Sequence, residues 1–274
     1  MVRRILEGSA HGMMRYLRLY GYFLEFAFSR AMQFRFDFWF RMLMDSVYYV
    51  IAIATFRTFY LHTATMGGFT LDQAMIFVGV TLMIDAISMT IYSNGLWWIP
   101  SFINKGDLDY YLVRPVSPLF FIAFREFAAS SCLNVLMAAG ILAWALNVYP
   151  DPIPAWKILY GILLILNGSV LFFVVRVLMI CPAFWTGSGD GLQHAFFYLR
   201  DAMERPDGVY TGWVRVLFLT AMPFALMASY PTWSFFEEFN PMRLLHILVV
   251  TVTLLSFMLW VWTRGLRQYS SASS

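Results

Sequence analysis

Five ionisable side chains lie inside long apolar stretches of the sequence: Asp45, Asp85, Arg125, Glu126 and Arg176. A charge in an apolar medium is costly, so each of these groups needs a partner or a function. At about 1.5 Å per helical residue, Asp45 lies roughly 10 Å into its stretch and the other four lie roughly 10 to 15 Å into theirs. We therefore predict a polar layer in which the two arginines offset the three carboxylates. Two roles stay open for it: an ion-paired girdle that fixes helix register, and a gate or substrate-contacting layer.

Metal and nucleophilic chemistry find little support in the sequence. The four histidines are scattered along the chain: His11, His62, His194 and His246. No pair of them has the spacing of zinc ligands, so we predict no metal site. Ser188, within the run GSGDG, lacks the elbow and the placed histidine of a serine nucleophile. We expect no catalytic residue in this chain.

Nucleotide chemistry also lacks its usual residues. No G-x-x-x-x-G-K-[ST] run occurs, and the glycine-rich stretch from Gly187 to Gly191 has no lysine to neutralise phosphates. We therefore expect no cofactor in this chain and no ATP hydrolysis by it alone. ATP and Mg²⁺ would have to be bound by a partner subunit.

The composition is that of a protein embedded in lipid. Hydrophobic residues make up 60% of the chain and charged residues only 13%, whereas a soluble domain carries about a quarter charged residues. The formal net charge of +3 is too small and too dispersed to indicate nucleic acid as a partner. The sequence predicts a polytopic membrane protein in contact with lipid.

We predict an all-α fold with six transmembrane helices. The predicted spans are Phe38 to Leu61, Leu71 to Ser93, Leu119 to Leu146, Trp156 to Trp185, Gly212 to Ser229 and Leu244 to Thr263. Residues 1–37 are predicted to form a cytoplasmic N-terminus with an amphipathic interfacial helix, because polar positions recur from Met13 to Asp37 at steps of three and four. The alternative is that this helix is an early part of the first span. Residues 38–263 form the membrane domain, and 264–274 a cytoplasmic tail.

The distribution of Lys and Arg predicts the orientation. The connections 62–70 and 147–155 contain neither residue, whereas basic residues cluster near the other ends of the spans. This asymmetry places both termini and the segments 94–118 and 186–211 in the cytoplasm.

The connection 94–118 contains the most distinctive sequence motif of the chain, GDLDYYLVRPVSP. Six of its residues match a spaced pattern: Gly106, Leu108, Leu112, Arg114, Pro115 and Ser117. The pattern resembles the G-x-L-x-x-x-L-x-R-P-x-S segment of ABC exporter permeases of the second type. A PF-x-x-x-x-x-YP run is similar to the same family and comprises Pro223, Phe224, Tyr230 and Pro231.

The resemblance implies a division of labour between chains. It implies that Ile103 to Leu112 is a coupling helix that docks on separate cytoplasmic ABC ATPase subunits. The implied interface is Ile103, Gly106, Asp107, Leu108, Tyr111, Leu112, Arg114 and Pro115, with Leu108, Tyr111 and Leu112 as apolar knobs. It further implies a second permease, as a homo- or heterodimer, and a bacterial-type inner membrane.

The segment 230–243 is too apolar for a free loop and too short and proline-broken for a span. It resembles the re-entrant external segment of the same exporters, with Pro231, Trp233, Phe235 and Phe236 as its apolar residues. The alternative is an aromatic belt at the outer leaflet.

The sequence thus predicts a permease subunit of an ATP-driven exporter. One alternative is an ATP-independent secondary transporter or channel, in which Asp45, Asp85 and Arg176 hold the coupling ion. Another is an intramembrane enzyme that acts on lipid. The substrate is not indicated.

Overall fold

The computed structural model describes residues 2–33, 35–187 and 190–270, and these residues form helices and short connections without a β-strand. The helices are α1 (Val2–Gln33), α2 (Arg35–Tyr60), α3 (Leu71–Ile91), α4 (Ser93–Lys105), α5 (Asp109–Leu112), α6 (Pro118–Arg125), α7 (Cys132–Val148), α8 (Ala155–Ile180), α9 (Ala183–Thr186), α10 (Asp190–Arg200), α11 (Gly212–Leu219), α12 (Phe224–Phe236) and α13 (Pro241–Gln268). Single 3₁₀ turns cover Ala129–Ser131 and Asp207–Val209. Ser188 and the last four residues of the predicted tail, 271–274, lie outside the described residues.

The core forms around α3, whose residues are mainly apolar and mostly buried. Helices α7, α8 and α12 pack against it. A Cβ added at Gly79 of α3 would lie 2.9 Å from the Leu142 Cα atom of α7. The missing side chain therefore lets the two backbones approach closely, as small residues do between membrane helices.

Four helical segments in the described residues are long and apolar enough to cross a membrane: Leu71–Ile91, Ala129–Val148, Ala155–Thr186 and Pro241–Gln268. A fifth arises if α11 and α12, which meet at a bend of 79°, count as one. Helix α2 is 26 residues long but is not among the four, and it carries Asp45 and Arg57. The predicted membrane protein is confirmed, and the number of six spans stays a prediction.

The third predicted span, Leu119 to Leu146, is not one continuous helix. Helix α6 ends at Arg125, and the chain re-enters a helical path only at the 3₁₀ turn before α7. The Ala128 N–H at the break donates to the Thr90 carbonyl oxygen of α3 at 2.9 Å, and the Thr90 hydroxyl donates to the Ser131 carbonyl oxygen at 3.0 Å. The interruption is tolerated because a neighbouring helix satisfies the freed backbone groups.

The segment 186–211 crosses the bundle instead of staying at one end. Near its start, the Gln193 amide donates to the Trp97 carbonyl oxygen of α4 at 3.0 Å. Near its finish, Gly208 packs directly on Gly67, in the connection between α2 and α3. The prediction that this whole segment stays at one end of the bundle is therefore wrong, and which end faces the cytoplasm stays a prediction. The sequence does not indicate this path through the bundle, because the partners of the segment's polar residues come from other helices.

The predicted fifth span, Gly212 to Ser229, is also wrong as one helix. Helix α11 starts beside Asp207, the chain bends at 220–223, and α12 returns to Asp207 through Ser229 and Trp233. Because both helices contact Asp207 and meet at a bend of 79°, they form a bent pair and not one straight span. The predicted re-entrant segment 230–243 therefore has the wrong bounds. Residues 230–236 are the second half of α12, and residues from 241 onward belong to α13.

Helix α1 lies along α6 through a row of aromatic contacts. The rings of Tyr16 and Phe120 meet edge to face at 4.8 Å between centroids, and those of Phe23 and Phe121 at 5.2 Å. The Ser117 N–H donates to the Tyr16 hydroxyl at 3.0 Å. These contacts fix α1 beside the entry to α6. Its position in the membrane interface stays a prediction.

Candidate coupling surface and intramembrane polar clusters

Helix α4 and the connection after it form the predicted coupling region, but the helix has different bounds. Gly106 adopts a left-handed backbone with φ 80°, and this ends α4 at Lys105. A separate single turn, α5, covers Asp109–Leu112. The predicted continuous helix from Ile103 to Leu112 is therefore wrong, because its fourth residue is the glycine that caps the preceding helix.

Two of the predicted knobs face inward. Leu108 is fully buried, and its N–H donates to the Phe102 carbonyl oxygen at 3.2 Å. Tyr111 is buried with its ring 5.2 Å from that of Phe102 and 5.8 Å from that of Phe121. Burial raises the pKa of the Tyr111 phenol, whose oxygen accepts from Arg125 Nη1 at 3.5 Å. Leu108 and Tyr111 therefore anchor the connection to the bundle and are not docking knobs.

Three neighbouring side chains are exposed instead. Tyr110 is 59% exposed, Leu112 38% and Val113 82%. We call these three residues the 110–113 patch. Of the predicted knobs, Leu112 alone belongs to it. The charged residues Lys105 and Asp107, both exposed, lie close by in the chain, so the patch is set in a polar surface.

The residues after the patch hold it in place. The Arg114 guanidinium lies 4.3 Å from the ring centroid of Tyr110 and 4.3 Å from that of Phe121. Such cation–π contacts restrain both partners. The Ser117 hydroxyl caps α6 by accepting from the Phe120 N–H at 3.4 Å, and Pro118 occupies the first turn. Pro115 is exposed and Ile103 is buried. The R-P-x-S-P motif thus forms a rigid connection that leads into α6.

A charged cluster inside the bundle links three parts of the chain. Arg200 of α10 pairs with Asp85 of α3, with 2.9 Å between Nη1 and Oδ1, and with Glu204, with 3.2 Å between Nη2 and Oε1. The Tyr48 hydroxyl of α2 donates to Glu204 at 3.0 Å. Arg200 and Glu204 are not among the predicted residues. The only sequence signal for them is the apolar run 195–199 that precedes the arginine.

Arg176 has a different partner from those predicted. Its Nη1 donates to the Ser93 hydroxyl at 2.6 Å and its Nη2 to the Ser93 carbonyl oxygen at 3.2 Å. Its guanidinium also lies 5.5 Å from the ring centroid of Phe196 and 5.8 Å from that of Phe197. The prediction that a carboxylate satisfies Arg176 is wrong, although the side chain is buried in the protein. The nearby carboxylate is already paired with Arg200.

The remaining predicted residues separate into two places. Asp45 accepts a hydrogen bond from the Asn134 amide at 2.6 Å, which ties α2 to α7. Glu126 lies at the break after α6, 3.2 Å from Arg30 of α1 and 3.8 Å from Arg125. Of the pairs that the single layer predicts, only this last one forms. Whether these groups gate or contact substrate stays a prediction.

Asp207 organises the opposite end of the bundle. Its carboxylate accepts from Arg215 Nη2 at 2.8 Å and from Trp233 Nε1 at 3.1 Å, and its N–H donates to the Ser229 hydroxyl at 2.9 Å. Phe236 of α12 packs on Tyr149 with ring centroids 5.9 Å apart. The predicted re-entrant residues Pro231 and Phe235 are both buried in α12, and Trp233 and Phe236 pack on Phe69. These residues therefore hold the bent pair against the bundle.

Within the described residues, no group of three or more His, Cys, Asp or Glu side chains is arranged to hold a metal ion. The fold and its two kinds of site define a polytopic helical membrane protein with an exposed apolar patch at one end and buried charge pairs within.

The family follows from a match over most of the chain. Residues 46–273 match the family described as ABC-2 family transporter protein. The chain therefore belongs to the ABC-2 transporter family and is a permease-type membrane protein of an ABC transporter. Searches of curated proteins and of solved structures find no match. Members of this family generally work with ATP-binding subunits.

Proposed function

We propose that this chain is the membrane-spanning permease subunit of an ATP-driven exporter. In this proposal two copies of the permease, or this chain and a second permease, form the translocation path with six spans each. Both termini and the 110–113 patch face the cytoplasm, where separate ATP-binding subunits dock. Membership of the ABC-2 family supports the proposal.

The main observation behind this proposal is the difference in exposure between the 110–113 patch and the residues that anchor it. Val113 is 82% exposed, while Leu108 is fully buried. A contiguous group of exposed apolar residues with polar neighbours, such as the 110–113 patch, is typical of a protein interaction site. Motion of a docked subunit passes to the bundle only if the contact is tied to it, and Leu108, Tyr111 and Arg114 supply the tie.

The exit from this connection leads directly into the bundle. Arg114 stacks on Phe121 of α6, and α6 meets α4 and α1. A push on the patch would therefore act on α6 and α4 together. The break after Arg125 separates α6 from α7, so α6 can shift as a short rigid lever without carrying the whole of the predicted third span.

The rival function is an ATP-independent transporter that uses the buried charges. In the described residues, Asp85 is engaged by Arg200 and Asp45 by Asn134, so an ion would have to displace these partners. We therefore favour the ATP-driven function. The charge pairs then serve to hold α10, α3 and α2 in register.

The test is purification of the tagged chain from its native cells in mild detergent, with assay of MgATP turnover. We expect a co-purifying subunit that carries a G-x-x-x-x-G-K-[ST] run. The variant Val113→Asp should lose this subunit, because it places a charge in an apolar socket.

Leu61→Asp is the matched control, since Leu61 is 81% exposed and lies in the connection that meets the opposite end of the bundle. It should retain the subunit. A chain that purifies without any ATP-binding subunit and transports in its absence would refute the proposal.

A further inference from the structure

A groove lies between α1 and the segment that enters α6. It has a volume of about 800 Å³. Three arginines line it: Arg15 and Arg18 of α1 and Arg114 of the facing segment. The rest of its wall is mainly apolar and includes Leu19, Val116 and Phe121. No acidic side chain of the described residues lines it.

The arginines have no carboxylate partner. Among the described residues, neither Arg15 nor Arg18 forms an ion pair, and Arg114 is held by aromatic faces alone. Among the described side chains of α1, the ion pair nearest to these arginines is Arg30 with Glu126, more than two turns further along. Three positive charges at one apolar groove call for an anion with an apolar body.

The walls of the groove are fixed. Tyr16 joins α1 to the facing segment through its hydrogen bond from Ser117 and its ring contact with Phe120. Phe23 of α1 packs on Phe121, which also carries Arg114 on its face. The groove is therefore a built feature of the docked helix and not a gap beside a loose one.

We propose that this groove binds an anionic phospholipid. The phosphate would be held by Arg15, Arg18 and Arg114, and the upper part of the acyl chains would lie on Leu19, Val116 and Phe121. The shared chemistry is a phosphate anion, and the apolar wall favours a lipid over free phosphate. The proposal requires the membrane-boundary position of α1 that the proposed topology gives, but it requires no ATPase.

Native mass spectrometry of the detergent-purified chain tests it, with phosphatidylglycerol and phosphatidylcholine of identical acyl chains as probes. We expect preferential binding of phosphatidylglycerol. The double variant Arg15→Gln/Arg18→Gln should weaken that binding by about thirtyfold, since each arginine near a lipid surface contributes about one factor of five to six. Arg15→Lys/Arg18→Lys keeps the charge and should restore most of it.

Arg264→Gln/Arg267→Gln is the matched control. It removes the same charge from two exposed arginines near the end of α13 that do not line the groove, and it should leave binding unchanged. Equal binding of the two lipids overturns the proposal, and so does wild-type binding in Arg15→Gln/Arg18→Gln. Displacement of phosphatidylglycerol by millimolar inorganic phosphate would assign the groove to a soluble anion instead. Because no readout involves ATP, failure here is distinct from failure of the proposed function.

Discussion

Leu108 and Val113 lie five residues apart in one short connection, yet Leu108 is fully buried and Val113 is 82% exposed. Helix α5 lies between them, so that the Leu108 side chain lies inside the bundle and the Val113 side chain lies on the surface. The two positions therefore separate what the connection needs to fold from what it offers to a partner.

We predict opposite effects of substitution at these two positions. Leu108→Ala should lower the stability of the purified protein by about 2–5 kcal/mol, because it opens a cavity at a fully buried site. Val113→Ala should change stability by less than about 0.5 kcal/mol, as is usual for an exposed position. The stability of both variants is measured by heating the purified protein and quantifying the remaining folded fraction by size-exclusion chromatography. Equal destabilisation by the two changes would contradict the assigned orientation of α5.

A second prediction concerns the contact between α3 and α7. Gly79→Ala should be destabilising, since its new Cβ atom would meet the Leu142 backbone at 2.9 Å and push the two helices apart. Gly140→Ala is the control on α7, because no heavy atom lies within 4 Å of a Cβ there. It should be neutral or stabilising by up to about 1 kcal/mol through helix propensity.

The melting temperatures of these two glycine variants in one detergent provide the comparison. If Gly79→Ala melts no lower than Gly140→Ala, the close approach of α3 and α7 is not what holds this part of the core.

The parts of the fold that the sequence predicts well are those with uninterrupted apolar runs. The predicted spans beginning at Leu71, Trp156 and Leu244 correspond to α3, α8 and α13 within a few residues. In such runs hydropathy decides the element, because one buried charge such as Asp85 in α3 or Arg176 in α8 does not interrupt a long apolar stretch.

The parts it predicts poorly depend on partners from distant segments. Helix α10 contains Gln193 and ends at Arg200, so it resembles a polar connection until Trp97 and Asp85 are placed beside those side chains. The same holds for the coupling region. Periodicity allowed a helix through Gly106, and only the tertiary contacts of Leu108 and Tyr111 show which face is inside.

A third prediction tests the buried pair between α10 and α3. Arg200→Leu should destabilise the protein by about 3–5 kcal/mol, because it leaves Asp85 as an unpaired charge in the interior. The double variant Arg200→Leu/Asp85→Leu should recover much of that loss, since the stranded charge is gone. A double-mutant cycle measures the coupling energy of this pair. It compares the unfolding temperatures of the wild type, Arg200→Leu, Asp85→Leu and the double variant.

Arg264→Leu serves as the control for that cycle, since Arg264 is exposed and contacts the ring of Trp260. Its effect should be small. Additive effects of Arg200→Leu and Asp85→Leu would show that the pair contributes no coupling energy and that α10 is held by apolar contacts alone.

The last prediction tests the path of residues 186–211 through the bundle. Gly208 packs on Gly67 and the Gln193 amide reaches the Trp97 carbonyl oxygen, so the two halves of this segment lie at opposite ends of the protein.

In a variant without Cys132 and Cys181, a cysteine introduced at exposed Val209 should react with a membrane-impermeant maleimide from the same side as one introduced at Thr65. A cysteine introduced at Tyr110 should react from the other side. The positive-inside rule predicts that this other side is the cytoplasm. Labelling of the position-209 cysteine together with the position-110 cysteine, and apart from position 65, would show that the segment returns to the side where it began and that α10 does not cross the bundle.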